Sequence, residues 1–111
     1  MIVPLTREIM DSYDDPFEIT VRGYASVKDD RILGVMGLYY SNGHQFAFAR
    51  ISDELKEDKR ELLKLTRKVI SVCARTVFAV CDNEIPKADN FLRHWGFSQL
   101  DGDLWLGHPT L

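Results

Sequence analysis

The stretch from Ser52 to Arg60 has the position of a ligand-binding turn. It lies between an apolar run, His44 to Ile51, and a helical pattern that begins at Leu62. In a strand–turn–helix unit, the free N–H groups at the helix start and the helix dipole attract anions to this turn. The charges oppose an anion, because Ser52 to Glu61 holds five acidic and three basic side chains, a local charge of −2. Two interpretations follow: a ligand-binding turn, or a solvated helix start whose acids complement the dipole.

The elements on either side of this turn predict a βαβ unit. His44 to Ile51 is predicted as a strand buried on both faces. The following helix has apolar side chains at three- and four-residue steps, and the second strand is predicted over Thr76 to Asp82. The apolar stripe of the helix consists of Leu62, Leu65, Val69, Val72 and Thr76, widened by Leu63, Ile70 and Cys73.

The rest of the chain predicts antiparallel strands and one short helix. Asp29-Asp30, Asn42-Gly43 and Asp101-Gly102 are typical of tight hairpin turns. Gly34 and Gly37 indicate a bulge or a close approach inside a strand. The predicted fold is α+β, with one mixed, mostly antiparallel sheet flanked by one long and one short helix. The remaining predicted elements are strands at Met1–Leu5, Phe17–Lys28, Arg31–Tyr40, Phe97–Leu100 and Leu104–His108, a helical turn or two within Thr6–Tyr13, and a helix at Pro86–Trp95 that ends at Gly96.

Composition and charge limit the classes of protein to which the chain can belong. The 111 residues predict one domain over residues 1–111. A net charge of −3 argues against nucleic acid as a partner. No apolar run approaches 18 residues and the first fifteen residues are acidic, which predicts a cytoplasmic protein without a membrane segment. Cys73 and Cys81 are interpreted as small core residues, and no Cys or His pair has the spacing of metal ligands, so no metal site is predicted.

The segment ADNFLRHWGF, residues 88–97, carries the most specific pattern in the chain. Ala88, Phe91, Gly96 and Phe97 match A-x-x-F-Y-x-x-x-G-F, and with the element order over residues 17–108 the chain resembles the Gcn5-related N-acetyltransferases (GNAT). The short length is similar to that of small GNAT-like proteins of tailed phages. Packing explains the motif physically, because the helix covers the sheet, the glycine turns the chain and the last Phe re-enters the core.

The resemblance implies acetyl-CoA as co-substrate and a set of binding positions. The strand that ends at Ile51 would offer backbone groups to the acetyl-pantetheine arm, and its N–H near Ala49 and Arg50 would face the oxyanion. The turn after it would cradle the pyrophosphate, although Lys59 and Glu61 stand where the family has glycines. The implied cofactor-binding residues are Ala49, Arg50, Ile51, Lys56, Lys59 and Arg60.

The resemblance also implies catalytic candidates. Glu84 or Asp82 would be the base, with helix capping as the structural alternative. In many members of the family a Tyr protonates the departing thiolate, and Leu92 occupies that position here. Tyr40 or Tyr39 would take over this role. The structural alternative for both is aromatic packing. Two functions remain open. The first is an N-acyltransferase that moves an acetyl group from acetyl-CoA to a small-molecule or protein amine. The second is a non-catalytic GNAT-like module that binds a protein partner.

Overall fold

A seven-stranded sheet organises the described part of the chain. The computed structural model describes residues 1–6, 8–9, 21–73, 75–80 and 88–109. These residues form three helices and seven strands. The strands are β1 (Ile2–Pro4), β2 (Val21–Lys28), β3 (Arg31–Ser41), β4 (His44–Ile51), β5 (Val77–Val80), β6 (Phe97–Asp101) and β7 (Leu104–Gly107), and the helices are α1 (Asp53–Glu57), α2 (Lys59–Ser71) and α3 (Ala88–His94).

The sheet is mixed, with one parallel pair. Its order is β1-β2-β3-β4-β5-β7-β6. Strands β4 and β5 are parallel, and every other neighbouring pair is antiparallel. The predicted α+β class with a mixed, mostly antiparallel sheet is therefore confirmed. The prediction of two flanking helices was incomplete, because α1 is a third helix within the described residues.

Two hairpins fix the register of β2, β3 and β4. Asn42 and Gly43 have φ angles of 51° and 79°, and Asp29 and Asp30 have 52° and 61°. Positive φ at both central residues is the geometry of a type I′ turn, whose twist matches that of the flanking strands. Both predicted turns are confirmed.

The glycines of β3 mark the predicted bulge and close approach. The register of β2 and β3 shifts between Ser26 and Val27, beside Gly34. A Cβ atom on Gly34 would lie 2.7 Å from Leu55 Cδ2, and one on Gly37 would lie 2.1 Å from the Arg22 carbonyl oxygen. Only glycine fits at these two positions, since the neighbouring strand and α1 pack directly against the backbone.

The charged stretch after β4 differs from the prediction. Residues 53–57 fold into α1, which docks through the fully buried Leu55. Helix α2 ends at Ser71, and Val72 is 45% exposed, so the predicted apolar stripe does not continue to Thr76. The N–H groups of Val72 and Cys73 bond to carbonyls three residues back, which tightens and closes the last turn.

Two apolar clusters form the core on the helix-bearing face of the sheet. The α1 cluster consists of Leu33, Met36, Leu55, Leu65 and Val69. The tryptophan cluster consists of Leu38, Ile70, Val77, Ala79, Trp95, Phe97 and Trp105. Met36 and Leu38 are two residues apart in β3 and therefore share a face. Helix α2 contributes to both clusters.

Within the described residues, no helix has the length and apolar character needed to span a membrane.

Candidate functional site

A cleft of about 810 Å³ opens between α2 and α3 above β3, β4 and β5. Its walls are mainly apolar. The sheet side includes Ala47, Ala49 and Ile51, and the helix side includes Leu62, Thr66, Val69, Cys73, Phe91 and Leu92. The cleft lies at the boundary between the two core clusters, so apolar side chains from both of them reach it.

The cleft begins where the parallel pairing of β4 and β5 stops. The two strands pair only at Phe46 with Phe78 and at Ala47 with Ala79. Strand β4 continues four residues beyond this point to Ile51, without a partner in β5. Val80, the last residue of β5, lines the cleft and is 60% exposed. Within the described residues, the pairing of β4 and β5 therefore ends at Ala47 and Ala79, and the chain that follows Val80 lies outside the described part.

Alternate backbone groups of β4 point toward the β5 side of the sheet. The N–H of Ser52 donates to the Leu33 carbonyl at 3.0 Å, on the β3 side. In a regular antiparallel ladder, alternate residues bond to the same neighbour, so Arg50 and Phe48 also face β3. The N–H and C=O groups of Ala49 and Ile51 consequently face the side of β5, beyond the last paired position.

Three titratable side chains line the cleft among the described residues: Lys56, Cys73 and His94. Lys56 lies 3.7 Å from Asp53 Oδ1 and is less than half exposed. Burial raises the pKa of the Cys73 thiol, which keeps it protonated. The exposed His94 ring meets the Trp95 ring edge-on, with 5.0 Å between ring centroids.

The start of each helix is capped by the chain itself. Ser52 Oγ accepts from the N–H of Leu55 at 3.3 Å, and Asp58 Oδ1 accepts from the N–H of Glu61 at 3.2 Å. The Asp58 carboxylate thus holds the place that a bound anion would take at the N-terminus of α2. This geometry agrees with the solvated, self-capped interpretation of the stretch.

Ion pairs tie the same region to the sheet. Arg31 donates to both carboxylate oxygens of Glu54, at 3.0 and 3.3 Å, and this pairing raises the pKa of Arg31. Glu61 Oε1 accepts from Ser26 Oγ and from the amino group of Met1, each at 3.1 Å. Two acids of the stretch are therefore engaged in structural contacts.

The predicted cofactor-binding residues divide into two groups. Ala49, Ile51 and Lys56 line the cleft. The other three lie elsewhere: Arg50 belongs to the opposite face of the sheet by strand alternation, Lys59 borders a smaller groove, and Arg60 is exposed on α2.

Of the predicted catalytic residues, the two that the structure describes, Tyr40 and Tyr39, do not line the cleft. Glu84 and Asp82 lie outside the described residues. Tyr40 is 53% exposed near the hairpin end of β3, where the guanidinium of Arg75 lies 5.9 Å from its ring centroid. Tyr39 stacks on Phe46 on the other face, with ring centroids 5.4 Å apart.

The helix α3 differs from its predicted packing in one position. Leu92 lines the cleft as its place in the motif implies, but Phe91 is 39% exposed at the cleft rather than packed in the core. His94, the last residue of this helix, also lines the cleft, and the sequence predictions gave it no role. The local sequence pattern of α3 does not predict that His94 lies at the cleft.

Comparisons with protein-family models, curated proteins and solved structures found no match to the chain. The described residues also contain no group of three or more His, Cys, Asp or Glu side chains placed to hold a metal ion.

Proposed function

We propose that this chain is a GNAT-like N-acyltransferase that binds the thioester arm of acetyl-CoA in the cleft and transfers the acetyl group to an amine. The observation that supports this most is an apolar cleft over β4, at the point where the described pairing of β4 and β5 ends. A pantetheine arm is extended and carries two amides between apolar segments. It suits a slot with apolar walls and strand N–H and C=O groups along one side.

The reaction needs few protein groups. The amine nitrogen attacks the thioester carbonyl, the new N–C bond forms, and the C–S bond breaks. The N–H of Ala49 faces the gap and is the donor that would meet the oxyanion. A thiol has a pKa of about 8.5, so the thiolate departs without a protein acid, and Leu92 is compatible with the reaction.

A base must take the proton of the amine. Among the described cleft residues, His94 carries the side chain that enzymes use most often as a general base. Lys56 is cationic, and burial keeps the Cys73 thiol protonated. His94 therefore takes the role that the sequence gave to Glu84.

The cleft offers few groups that could bind the nucleotide end of acetyl-CoA. The helix N–H groups that could bind a pyrophosphate are capped by Ser52 and Asp58, and Lys56 is the one cation among the described residues that line the cleft. We therefore place the binding free energy mainly in the acyl-pantetheine arm.

Thermal unfolding with acetyl-CoA and with S-acetylpantetheine tests this placement. A ligand at 100 times its Kd raises stability by about 2.7 kcal/mol, which corresponds to roughly 10 °C in Tm for a domain of this size. We expect both ligands to give comparable shifts at equal concentration, because the shift then depends on the two Kd values. No shift with either ligand at millimolar concentration would contradict the proposal.

Two matched pairs of variants test the named residues. Lys56→Glu should reduce the shift given by acetyl-CoA and leave that of S-acetylpantetheine intact, whereas Lys28→Glu, the same change on the exposed β2–β3 turn, should affect neither. His94→Gln should abolish acetyl transfer to a panel of amines without changing the thermal shift. His108→Gln, at an exposed position, is its control.

A second function, a non-catalytic GNAT-like module that binds a protein partner, is favoured by one observation. Asp58 and Ser52 fill the helix starts with internal caps, as a scaffold without a phosphate ligand would. Absence of a thermal shift with both thioesters would favour this function over the transferase.

A further inference from the structure

Positive charge is concentrated on one helix of an acidic chain. From Lys59 to Arg75 there are six basic residues and one acidic residue, a net charge of +5. Because the whole chain carries −3, the remainder carries −8. A net charge averages over the surface and cannot reveal such segregation.

The helix turns these charges outward. Helix α2 buries Leu65, Thr66, Val69 and Ile70, and the 3.6-residue period places the charged positions on the opposite side. All of the outward basic residues are exposed: Arg60, Lys64, Arg67 and Lys68.

Within the part of the chain that the structure describes, Arg60, Lys64 and Arg67 form no ion pair. The acid of α2, Glu61, is engaged with Ser26 and the Met1 amino group instead.

This arrangement is unfavourable for the helix by itself. Lys59 and Arg60 occupy the first turn, where positive charge opposes the helix dipole. Arg60, Lys64 and Lys68 also stand four residues apart, so neighbouring cations repel each other. A polyanion on this face would relieve both effects.

Aromatic rings and further cations border the helix on the sheet. The Lys68 ammonium lies 5.7 Å from the centroid of Tyr24, and Arg75 lies over Tyr40. Arg22 is exposed and pairs with Leu38, so it lies on the same face of the sheet as α2. We call these residues together the basic surface: Arg22, Tyr24, Tyr40, Arg60, Lys64, Arg67, Lys68 and Arg75.

We propose that the basic surface binds single-stranded nucleic acid, through phosphate contacts from its cations and base stacking on Tyr40. Cations beside exposed aromatic rings are the combination that holds a single strand without reading its sequence. A flexible single strand can follow cations that are arranged along one helix, which a long rigid duplex does less easily. The proposal is independent of the function of the cleft.

Fluorescence anisotropy with labelled single strands of about 20 nucleotides tests it. RNA and DNA should bind alike, because the argument uses only phosphates and base faces. With four phosphate contacts, the logarithm of the binding constant should fall with the logarithm of salt concentration with a slope of about −3.

The matched variants are Lys64→Glu and Lys28→Glu. Lys64→Glu should weaken binding about tenfold and reduce the slope by about 0.7, while Lys28→Glu should change neither. Tyr40→Leu should weaken binding fivefold or more, and Tyr40→Phe, which keeps the ring, should not.

Four results would overturn the proposal: no binding at about 50 mM salt, equal losses from Lys64→Glu and Lys28→Glu, binding confined to one of the two sugars, or binding to anionic phospholipid vesicles without binding to the oligonucleotides.

Discussion

The two core clusters share one face of the sheet, but their strands are joined very differently. The α1 cluster rests on β2, β3 and β4, which have 8, 11 and 8 residues and pair along their lengths. The tryptophan cluster rests mainly on β5, β7 and β6, which have 4, 4 and 5 residues. Two parallel residue pairs connect the halves within the sheet, and α2 bridges them above it.

This difference explains why the cleft lies where it does. Long paired strands leave no backbone group available, whereas a strand that outruns its short neighbour leaves both backbone groups and apolar side chains uncovered. The site therefore lies at the junction of the two halves, where apolar side chains of both clusters reach it. The difference in strand length also predicts that the β5–β7–β6 half is the less stable one.

The largest expected effect comes from Trp105→Ala in the tryptophan cluster. Trp105 is 3% exposed, and its removal should lower the free energy of unfolding by about 3–5 kcal/mol. Hydrogen exchange should accelerate in β5, β6 and β7 well before it does in β2 and β3. Equal acceleration in all strands would show that the halves unfold together.

Leu55→Ala tests the other cluster. Leu55 is fully buried, and its truncation should cost about 2–4 kcal/mol as measured by urea unfolding. Because Leu55 alone anchors α1 from its buried side, the change should also release the 53–57 segment to proteolysis. Leu63→Ala, at a position 39% exposed on α2, is the control and should cost much less.

Asp58→Ala removes the cap of α2 and should destabilise the fold by about 1 kcal/mol. Asp58→Asn keeps a side-chain acceptor for the Glu61 N–H and should cost less. If the thermal shift by acetyl-CoA grows in Asp58→Ala, the internal cap and the nucleotide compete for the same N–H groups. A larger loss from Asn than from Ala would contradict the capping geometry.

The smallest effect concerns Cys73, at the tryptophan-cluster side of the cleft. Burial raises the pKa of its thiol in the folded protein, so folding favours the protonated form. The associated stability is fully present below the pKa of an unfolded thiol and is lost as pH rises through the folded value. Alkylation of the Cys73 peptide, followed by mass spectrometry, should be slower in the native than in the unfolded chain at pH 8 and converge with it at higher pH. Equal rates at pH 8 would contradict the burial.

Local chemistry predicted much of the fold from the sequence. The Asn42-Gly43 and Asp29-Asp30 turns determine the register of three strands, since positive φ at both positions permits few alternatives. Gly34 and Gly37 predicted a bulge and a close contact, because a glycine inside a strand weakens it and usually marks one of these features. These signals act over a few residues and require no knowledge of the tertiary structure.

The predictions from sequence failed at positions whose structure depends on tertiary contacts. Residues 53–57 are mostly charged, and nothing local indicates that Leu55 is buried against Gly34 and fixes a helix there. The resemblance implied Ala49, Ile51 and Lys56 as binding positions, and all three line the cleft. His94 could not, because its position at the cleft depends on how α3 packs across the sheet.

A charge of +5 on the stretch 59–75 gives the exposed side of α2 a positive face, although the chain as a whole carries −3. A charged partner exerts a torque on such a body before the surfaces touch, although salt limits the effect to about 8 Å at physiological ionic strength. The protein therefore rotates during the last step of its diffusion, and α2 leads its approach to any polyanion.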